Sequence, residues 1–210
     1  MNVLVAGAHG TVGQKIMAVL DGSEHDATAM VRTESYATDM EEYDAETVVA
    51  DLTKDVSHAV DGHDAIVFAA GSSGEDVEGV DRDGAIRMIE AAEEHGVDRF
   101  VMLSAMNADD LESSPDALED YLAAKQAADE RLQESELTYT IVRPGALIDD
   151  PATGEIRAAE KLDRGEITRA DVARTLVAAL DVAETHGKTF EILAGDEPIE
   201  TALEHPTTDE

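Results

Sequence analysis

A chain of 210 residues, 43% of them apolar, is long enough to bury the core of one sizeable domain. Its 48 acidic and 15 basic residues give a formal net charge of −33, which disfavours a nucleic-acid partner and binding to a membrane surface. Because the chain contains no cysteine, disulfides, thiolate nucleophiles and cysteine metal sites are excluded.

The acidic residues are spread along the chain, for example over 40–46, 90–94 and 130–136, instead of forming one tail. High salt screens the self-repulsion of such a chain, so we expect a high-salt cytoplasm. The alternative is an acidic protein of an ordinary cytoplasm. No apolar run approaches the span of a bilayer, and no basic segment precedes the first strand. We therefore expect neither a signal peptide nor a membrane anchor.

The N-terminal stretch predicts a strand, a glycine turn and a helix over 12–20. In this arrangement Gly7 permits the tight turn, Gly10 lets backbone approach a pyrophosphate, and Gly13 lets the helix pack on the strand. A G-x-x-G-x-x-G string alone is weak evidence, but the apolar strand before it and the helix after it predict a dinucleotide site. His9 lies inside the turn and can touch phosphate.

The predicted second strand, 26–31, is followed directly by Arg32, 19 positions after Gly13. An acidic residue about twenty positions beyond the turn is typical of NAD sites, whereas an arginine suits the 2′-phosphate of NADP. Arg32 therefore favours NADP(H); the alternative is a surface arginine paired with one of the many carboxylates. Residues 33–44 are predicted to be a loop with one or two helical turns.

A third strand, 47–50, ends at Asp51-Leu52, where the carboxylate can accept a hydrogen bond from an adenine amino group. A helix N-cap is the competing interpretation of Asp51. After a short helix over 54–61, the fourth strand, 64–71, is nearly all apolar, as a strand buried on both faces should be. Its small last residues let a cofactor lie against the strand end; they are Ala69, Ala70 and Gly71.

After a loop over 71–79, the pattern predicts a helix over 80–95, a fifth strand over 99–103 ending at Ser104, and a polar connection over 107–115. The strongest helical pattern, 116–135, carries Tyr121 and Lys125. A sixth strand, 137–142, ends at Arg143-Pro144-Gly145. Short strand pieces over 155–167, a Thr168-capped helix over 170–183, a strand over 188–193 and a helix over 199–203 follow.

Alternating strands and helices predict an α/β fold, a single Rossmann-type doubly wound parallel sheet with helices on both faces. We expect one domain over 1–204, in which 146–204 supply small elements on the substrate side, and a frayed tail over 205–210. The histidines show no metal-ligand spacing, so no metal site is expected.

Tyr121 and Lys125 are spaced i, i+4 and share one helix face. A neighbouring ammonium and an oxidised nicotinamide both favour phenolate, which assists proton transfer during hydride exchange. The lysine can also hold the nicotinamide ribose. Taken alone the pair is a poor signal, because a solvated helix face explains it equally well.

Together with the glycine turn and the strand ends, this pair makes the chain resemble the short-chain dehydrogenase/reductase superfamily. More narrowly, it is similar to the atypical small NAD(P)H-binding proteins related to NmrA-like and epimerase/dehydratase-like members. The narrower likeness rests on residues 139–147 and 167–173, and the resemblance extends to about Leu203.

The resemblance implies roles for individual residues. It places the pyrophosphate on the glycine turn, at Gly7, Gly10, Thr11, Val12 and Gly13, and the 2′-phosphate on Arg32. It places the adenine on Asp51 and Leu52, and the ribose on the end of the fourth strand, at Ala69, Ala70 and Gly71. It places the nicotinamide among Ser104, Tyr121, Lys125 and Pro144.

One departure concerns catalysis. Catalytic epimerase-like relatives commonly end the fifth strand in two or three hydroxyl residues, whereas Ala105 and Met106 follow Ser104 here. Ser104 can instead bond the nicotinamide amide or cap backbone. This departure puts carbonyl reduction in doubt without affecting cofactor binding.

The leading hypothesis is an NADP(H)-dependent oxidoreductase acting on a small carbonyl or hydroxyl compound, with Tyr121 as acid/base and Lys125 as its electrostatic partner. One alternative is an epimerase or dehydratase that recycles its cofactor. The other is a nonenzymatic NADP(H) sensor with a partner protein. The fold does not decide among them, and we expect a monomer or homodimer. Residues 149–162 show no polar pattern that would name the substrate.

Overall fold

The computed structural model describes residues 1–43, 45–112 and 115–206. The strands are β1 (Asn2–Ala6), β2 (Asp26–Val31), β3 (Ala45–Val49), β4 (Ala65–Phe68), β5 (Arg99–Leu103), β6 (Thr138–Pro144), β7 (Ala146–Ile148), β8 (Glu155–Ala159), β9 (Glu166–Thr168), β10 (Lys188–Ala194) and β11 (Glu197–Pro198). The α-helices are α1 (Gly13–Leu20), α2 (Glu34–Asp39), α3 (Ser57–Val60), α4 (Asp83–His95), α5 (Glu119–Gln133), α6 (Arg169–Ala178) and α7 (Ile199–Glu204).

Within the described residues, nine strands form one sheet in the order β11-β8-β10-β6-β5-β4-β1-β2-β3. The seven strands from β10 to β3 are parallel. The chain leaves β1 in one direction through β2 and β3, then returns to β4 on the other side of β1. In doubly wound folds this reversal creates the ligand crevice at the carboxyl ends of the strands. The predicted Rossmann-type fold is confirmed.

One edge of the sheet differs from an all-parallel arrangement, because β8 pairs antiparallel with both β10 and β11. Only ten residues separate β6 from β8, and they contain β7 instead of a helix. A parallel crossover needs a dozen or more residues, so this short connection brings the strand back in the opposite direction. Beside this edge, β7 and β9 form a separate two-stranded parallel sheet.

Apolar side chains cover both faces of the sheet. One core cluster joins α1, α6 and α7 to the strands, and the other joins α3, α4 and α5. All four residues of β4 are fully buried between these layers, as its continuous apolar run predicts. The central strands are therefore rigidly held, and their carboxyl ends lie at one edge of the molecule.

The predicted helices are present, but several boundaries differ. The segment predicted as a helix over 80–95 begins as a π-helical turn, Val77–Arg82, and only then becomes α4. The predicted helix over 170–183 ends earlier, at Ala178. There the carbonyl of Ala179 accepts hydrogen bonds from buried Arg99 at 2.5 Å and from Thr185 at 3.3 Å. These bonds replace the next helical turn. Asp51 is not a helix N-cap, because α3 starts after Val56.

Parts of three predicted segments lie outside the described residues: Asp44 of the loop over 33–44, residues 113–114 of the connection over 107–115, and residues 207–210 of the expected frayed tail. Residues 34–39 of that loop form α2, which confirms the expected helical turns. Across the described ranges, no helix combines the length and apolar character needed to cross a bilayer.

Candidate dinucleotide and active site

The glycine turn follows β1 and packs against the end of β4. Gly7 has a φ of +86°, and a Cβ placed on it would lie 2.6 Å from the Cα of Ala70. A Cβ on Gly13 would lie 2.1 Å from the carbonyl oxygen of Gly7. A Cβ on Gly10 would have only one neighbour within 4 Å, the carbonyl oxygen of Gly7 at 3.2 Å. Gly7 and Gly13 are thus required by packing, whereas Gly10 faces open space that a ligand can approach.

The first turn of α1 provides backbone donors beside that space, of which the N–H of Gln14 already donates to the carbonyl of Gly10 at 2.9 Å. The N-cap residue, Val12, has no side chain that could accept a hydrogen bond from them, and Thr11 is exposed. The first N–H groups of a helix lack intrahelical partners and carry partial positive charge, which suits an anion. This end of α1 therefore fits a pyrophosphate.

His9 is engaged within the protein. Its ring stacks on Tyr36 of α2 with a centroid distance of 3.8 Å, and its Nε2 lies 2.9 Å from a carboxylate oxygen of Asp39. The N–H of Ala8 also donates to the carbonyl of Met30, at 3.3 Å. These contacts hold α2 and the end of β2 against the glycine turn.

Arg32 lies at this end of β2 and is exposed. In the ranges that the structure describes, its guanidinium makes no ion pair within 4 Å. In a chain with 48 acidic residues, an unpaired arginine beside the turn is a ready partner for an added anionic group.

Asp51 and Leu52 follow β3. One oxygen of Asp51 accepts from the N–H and hydroxyl of Thr53, at 3.0 and 2.7 Å, and the other lies 3.1 Å from the Lys54 ammonium. The Thr53 bonds, chiefly, lower the pKa of Asp51 to about 2. Leu52 is buried, and its carbonyl accepts a hydrogen bond from Arg87. Contact of either residue with adenine stays a prediction.

The ends of β4, β5 and β6 form the rest of the crevice. Ala70 faces Gly7, and a Cβ on Gly71 would lie 3.1 Å from a carboxylate oxygen of Asp81. Ala69 is partly buried, and Pro144 closes β6, where its carbonyl accepts from the N–H of Met106 at 3.1 Å. Small residues thus leave the sheet edge accessible next to the glycine turn.

Tyr121 and Lys125 lie on one face of α5. The Lys125 Nζ is 5.7 Å from the centroid of the Tyr121 ring. Lys125 is only 3% exposed; its Nζ donates to the carbonyl of Leu103 at 3.3 Å and lies 3.8 Å from Asp81. An ammonium carries three donors, so this buried group has bonding capacity left for ligand hydroxyls.

The electrostatics of this pair differ from the sequence-based expectation. Burial, followed by the charges of Asp81 and Asp129, raises the pKa of Tyr121 to about 12. Burial lowers the pKa of Lys125, and the same two carboxylates oppose that effect. Tyr121 is therefore a protonated phenol at neutral pH, although an ammonium stands beside it.

Ser104 is buried at the end of β5, and its hydroxyl donates to Asp129 at 2.8 Å. The same oxygen of Asp129 accepts from Arg143 Nε at 3.0 Å, while the other oxygen is buried with no hydrogen-bond partner within the described residues. Burial raises the pKa of Asp129 despite the opposing charge of Arg143. The Ser104 hydroxyl thus bonds this carboxylate and does not cap backbone.

A second group of charges extends from Arg143 towards β8 and β10. Arg143 lies 3.1 Å from Asp109, and Lys161 bridges Asp109 and fully buried Glu191 at 2.9 and 3.0 Å. Glu191 also accepts from the N–H of Leu162 at 2.7 Å. This network ties the segment after β5 to β10 and to the segment after β8.

Sequence reasoning missed Asp81, Asp129 and Glu191. Asp129 lies four residues after Lys125 and eight after Tyr121, so helical spacing could have found it. Nothing local marks Asp81 or Glu191 among 48 acidic residues, because only tertiary packing buries them. In the ranges described, no cluster of three or more histidine or acidic side chains is suited to hold a metal ion.

Comparisons with known proteins give the same outline. A family model described as NAD(P)H-binding matches residues 7–183. The uncharacterized sugar epimerase YhfK of Bacillus subtilis is 43% identical over 97% of this chain and 99% of its own. A solved Bacillus halodurans protein, provisionally described as an NAD-dependent epimerase/dehydratase, is 40% identical with a TM-score of 0.94, covering 97% of this chain and 99% of that one. The oxidoreductase ylbE of Lactococcus lactis is 30% identical with a TM-score of 0.91, and the two chains cover each other completely.

Proposed function

Because the chain belongs to the NAD(P)H-binding family of atypical short-chain dehydrogenase/reductases, we propose that it is an NADP(H)-dependent reductase of a small carbonyl compound. In this proposal Tyr121 donates the proton and Lys125 holds the nicotinamide ribose. The family binds NAD(P)H and includes oxidoreductase and epimerase relatives. We infer the substrate class, the direction of the reaction and the cofactor preference from the site.

The observation that carries the proposal is the placement of Tyr121 beside buried Lys125, whose Nζ donates to the carbonyl of Leu103 at the end of β5. Burial also raises the pKa of Tyr121, so its phenol stays protonated at neutral pH. A nicotinamide cofactor held by the glycine turn and Lys125 would supply a hydride, and a carbonyl that accepts it would become an alkoxide. An alkoxide is more basic than a phenolate, even one whose conjugate acid has a pKa of about 12. Proton donation by Tyr121 is therefore favourable, whereas proton abstraction by it at neutral pH is not. This supports reduction over oxidation.

The preference for NADP(H) over NAD(H) is supported by Arg32, which is exposed beside the glycine turn. A guanidinium binds phosphate through charge-assisted hydrogen bonds, and Arg32 has no ion pair in the described ranges to give up first. The turn from Gly7 to Gly13 would hold the pyrophosphate.

Substitution of Tyr121 by phenylalanine tests the proposal. NADPH oxidation is followed over a panel of small aldehydes and ketones, and NADPH affinity is measured by calorimetry. We expect turnover to fall by about 10²-fold to 10⁴-fold with affinity nearly unchanged, because only the donated proton is lost. Tyr139→Phe, within β6, is the matched control. Full activity of Y121F would remove Tyr121 from the mechanism.

A second candidate, a sugar-type epimerase or dehydratase, is favoured by the description of the 43% identical relative. In such chemistry the cofactor is recycled. Cofactor that survives purification and turnover without net NADPH consumption would support this candidate over the reductase.

A third candidate, a nonenzymatic NADP(H) sensor, is favoured by the engagement of Ser104 with Asp129. A partner protein captured only in the presence of NADP(H), together with no turnover on the carbonyl panel, would support sensing. We further infer a high-salt cytoplasm as the working environment, on the support of the net charge of −33.

A further inference from the structure

Asp81 is a buried carboxylate that the proposed mechanism does not use. It lies in the π-helical turn before α4 and is 1% exposed. π-Helical turns are rare and are often found at functional sites. One oxygen of Asp81 accepts from the N–H and hydroxyl of Ser72, at 3.1 and 2.5 Å. The other oxygen lies 3.8 Å from Lys125 Nζ.

These contacts place a negative charge directly against the ammonium that stands beside Tyr121. Both charged groups are removed from solvent, so water screens their interaction only weakly. An isolated ammonium at this position would favour the phenolate form of Tyr121. The buried carboxylate of Asp81 next to it opposes that influence, and so does the carboxylate of Asp129, four residues after Lys125 on α5.

We infer that Asp81 is a positioning residue that masks the charge of Lys125 and thereby keeps Tyr121 a proton donor and not a proton acceptor. Lys125 then acts on its ligands through hydrogen bonds more than through net charge. The inference deepens the acid role proposed for Tyr121 and rests on it. It also gives the loop carrying Ser72 a part in the site, because that loop supplies the bonds that hold Asp81.

The test measures the ionisation of residue 121 in cofactor-free protein. A difluorinated tyrosine, whose phenol is intrinsically more acidic, is incorporated at position 121 and titrated by fluorine NMR, which reports this residue alone. Asp81→Asn should lower the pKa of the fluorinated phenol by about one unit or more, since a neighbouring charge shifts a pKa by that order. Circular dichroism at each pH verifies that the protein stays folded.

The matched control is Asp83→Asn, which removes one negative charge from an exposed side chain two residues away and should leave the titration unchanged. Asp81→Glu keeps the negative charge and should leave the pKa of the fluorinated phenol near that of the parent. Ser72→Ala is a second variant that leaves the Asp81 side chain itself in place. It removes a donor from Asp81, strengthens the field of the carboxylate and should shift the pKa slightly upwards, while Ser73→Ala should not.

The same pKa for the fluorinated phenol in the parent, D81N and S72A would overturn the inference. A rise of the pKa in D81N would also overturn it. Neither result depends on turnover, so failure here is distinguishable from failure of the reductase proposal. If carbonyl reduction is observed, the D81N rate should also decline at a lower pH than the parent rate, because the proton donor is lost sooner.

Discussion

At the scale of the residue, the proposed preference for NADP(H) depends on one side chain, Arg32. The chain offers 48 carboxylates, yet in the described ranges none lies within ion-pairing distance of this exposed guanidinium. Binding a phosphate therefore does not require breaking an existing ion pair. A net charge of −33 also repels an anionic ligand, so a local cation contributes more to binding it.

We expect Arg32→Ala to weaken NADP(H) binding by about tenfold or more, the loss of one charge-assisted hydrogen bond, with NAD(H) binding nearly unchanged. Calorimetry with both cofactors at high salt measures this. Arg157→Ala, at an exposed position of β8, is the control and should leave both affinities unchanged. Equal losses for NADP(H) and NAD(H) would show that Arg32 does not contact the 2′-phosphate.

The glycine turn and the pair of Tyr121 and Lys125 could be predicted as candidate site residues, because short sequence spacings identify them. The buried carboxylate of Asp81 could not. Asp81 is one acidic residue among many, and only the packing of the π-helical turn on α5 buries it. The sequence suggested that Lys125 promotes phenolate at Tyr121. In the structure, burial, followed by the charges of Asp81 and Asp129, raises the pKa of Tyr121 instead.

At the scale of the element, the junction between β9 and α6 links the loop before β8 to the core. The hydroxyl of Thr168 accepts from the N–H of Asp171 at 2.9 Å, which confirms the predicted cap. The Asp171 carboxylate accepts in turn from the N–H groups of Thr153 and Gly154, at 2.9 and 2.8 Å. One side chain thus fixes both the helix start and the loop before β8.

This junction predicts a pH-dependent contribution to stability. Burial raises the pKa of Asp171, but the donated hydrogen bonds outweigh burial and leave it lowered. A lowered folded-state pKa means that the stabilisation is present above the unfolded value of about 4 and is lost as the pH falls through the folded value. Asp171→Ala should cost about 2 kcal/mol of unfolding free energy at neutral pH, from lost and unpaired hydrogen bonds.

Denaturant unfolding at pH 7 and near pH 3 measures this cost. The difference between D171A and the parent should shrink at the lower pH. Asp196→Ala, at an exposed position, should change stability by less than about 0.5 kcal/mol. An equal loss of unfolding free energy in D171A at both pH values would show that ionisation of the Asp171 carboxylate does not supply the stabilisation.

The longer elements could be predicted because apolar periodicity decides them. β7 and β11 could not, because they contain three and two residues and form only when other strands present their edges. The π-helical turn was also missed. There the Asp76 carboxylate accepts from the N–H of Gly79 at 3.0 Å and Asp81 is drawn towards Lys125, so tertiary contacts select the wider turn.

At the scale of the whole molecule, charge and topology act separately. The strand order follows from apolar runs and crossover helices, to which the surface acids contribute little. We propose that those acids instead set the salt conditions under which the fold is stable. A net charge of −33 on a 22.4 kDa chain makes the compact state self-repulsive in dilute buffer.

We expect the melting temperature to rise by about 10 °C or more between dilute buffer and molar KCl. The Debye length falls from about 30 Å at 0.01 M to about 3 Å at 1 M, which removes repulsion between all but adjacent carboxylates. For a chain of this size such a rise corresponds to a few kcal/mol of unfolding free energy. Sucrose at equal osmolality is the control, because it favours compact states through exclusion without screening charge. Equal melting in dilute buffer and in molar KCl would contradict adaptation to salt, and an equal rise in sucrose would assign the effect to exclusion instead of screening.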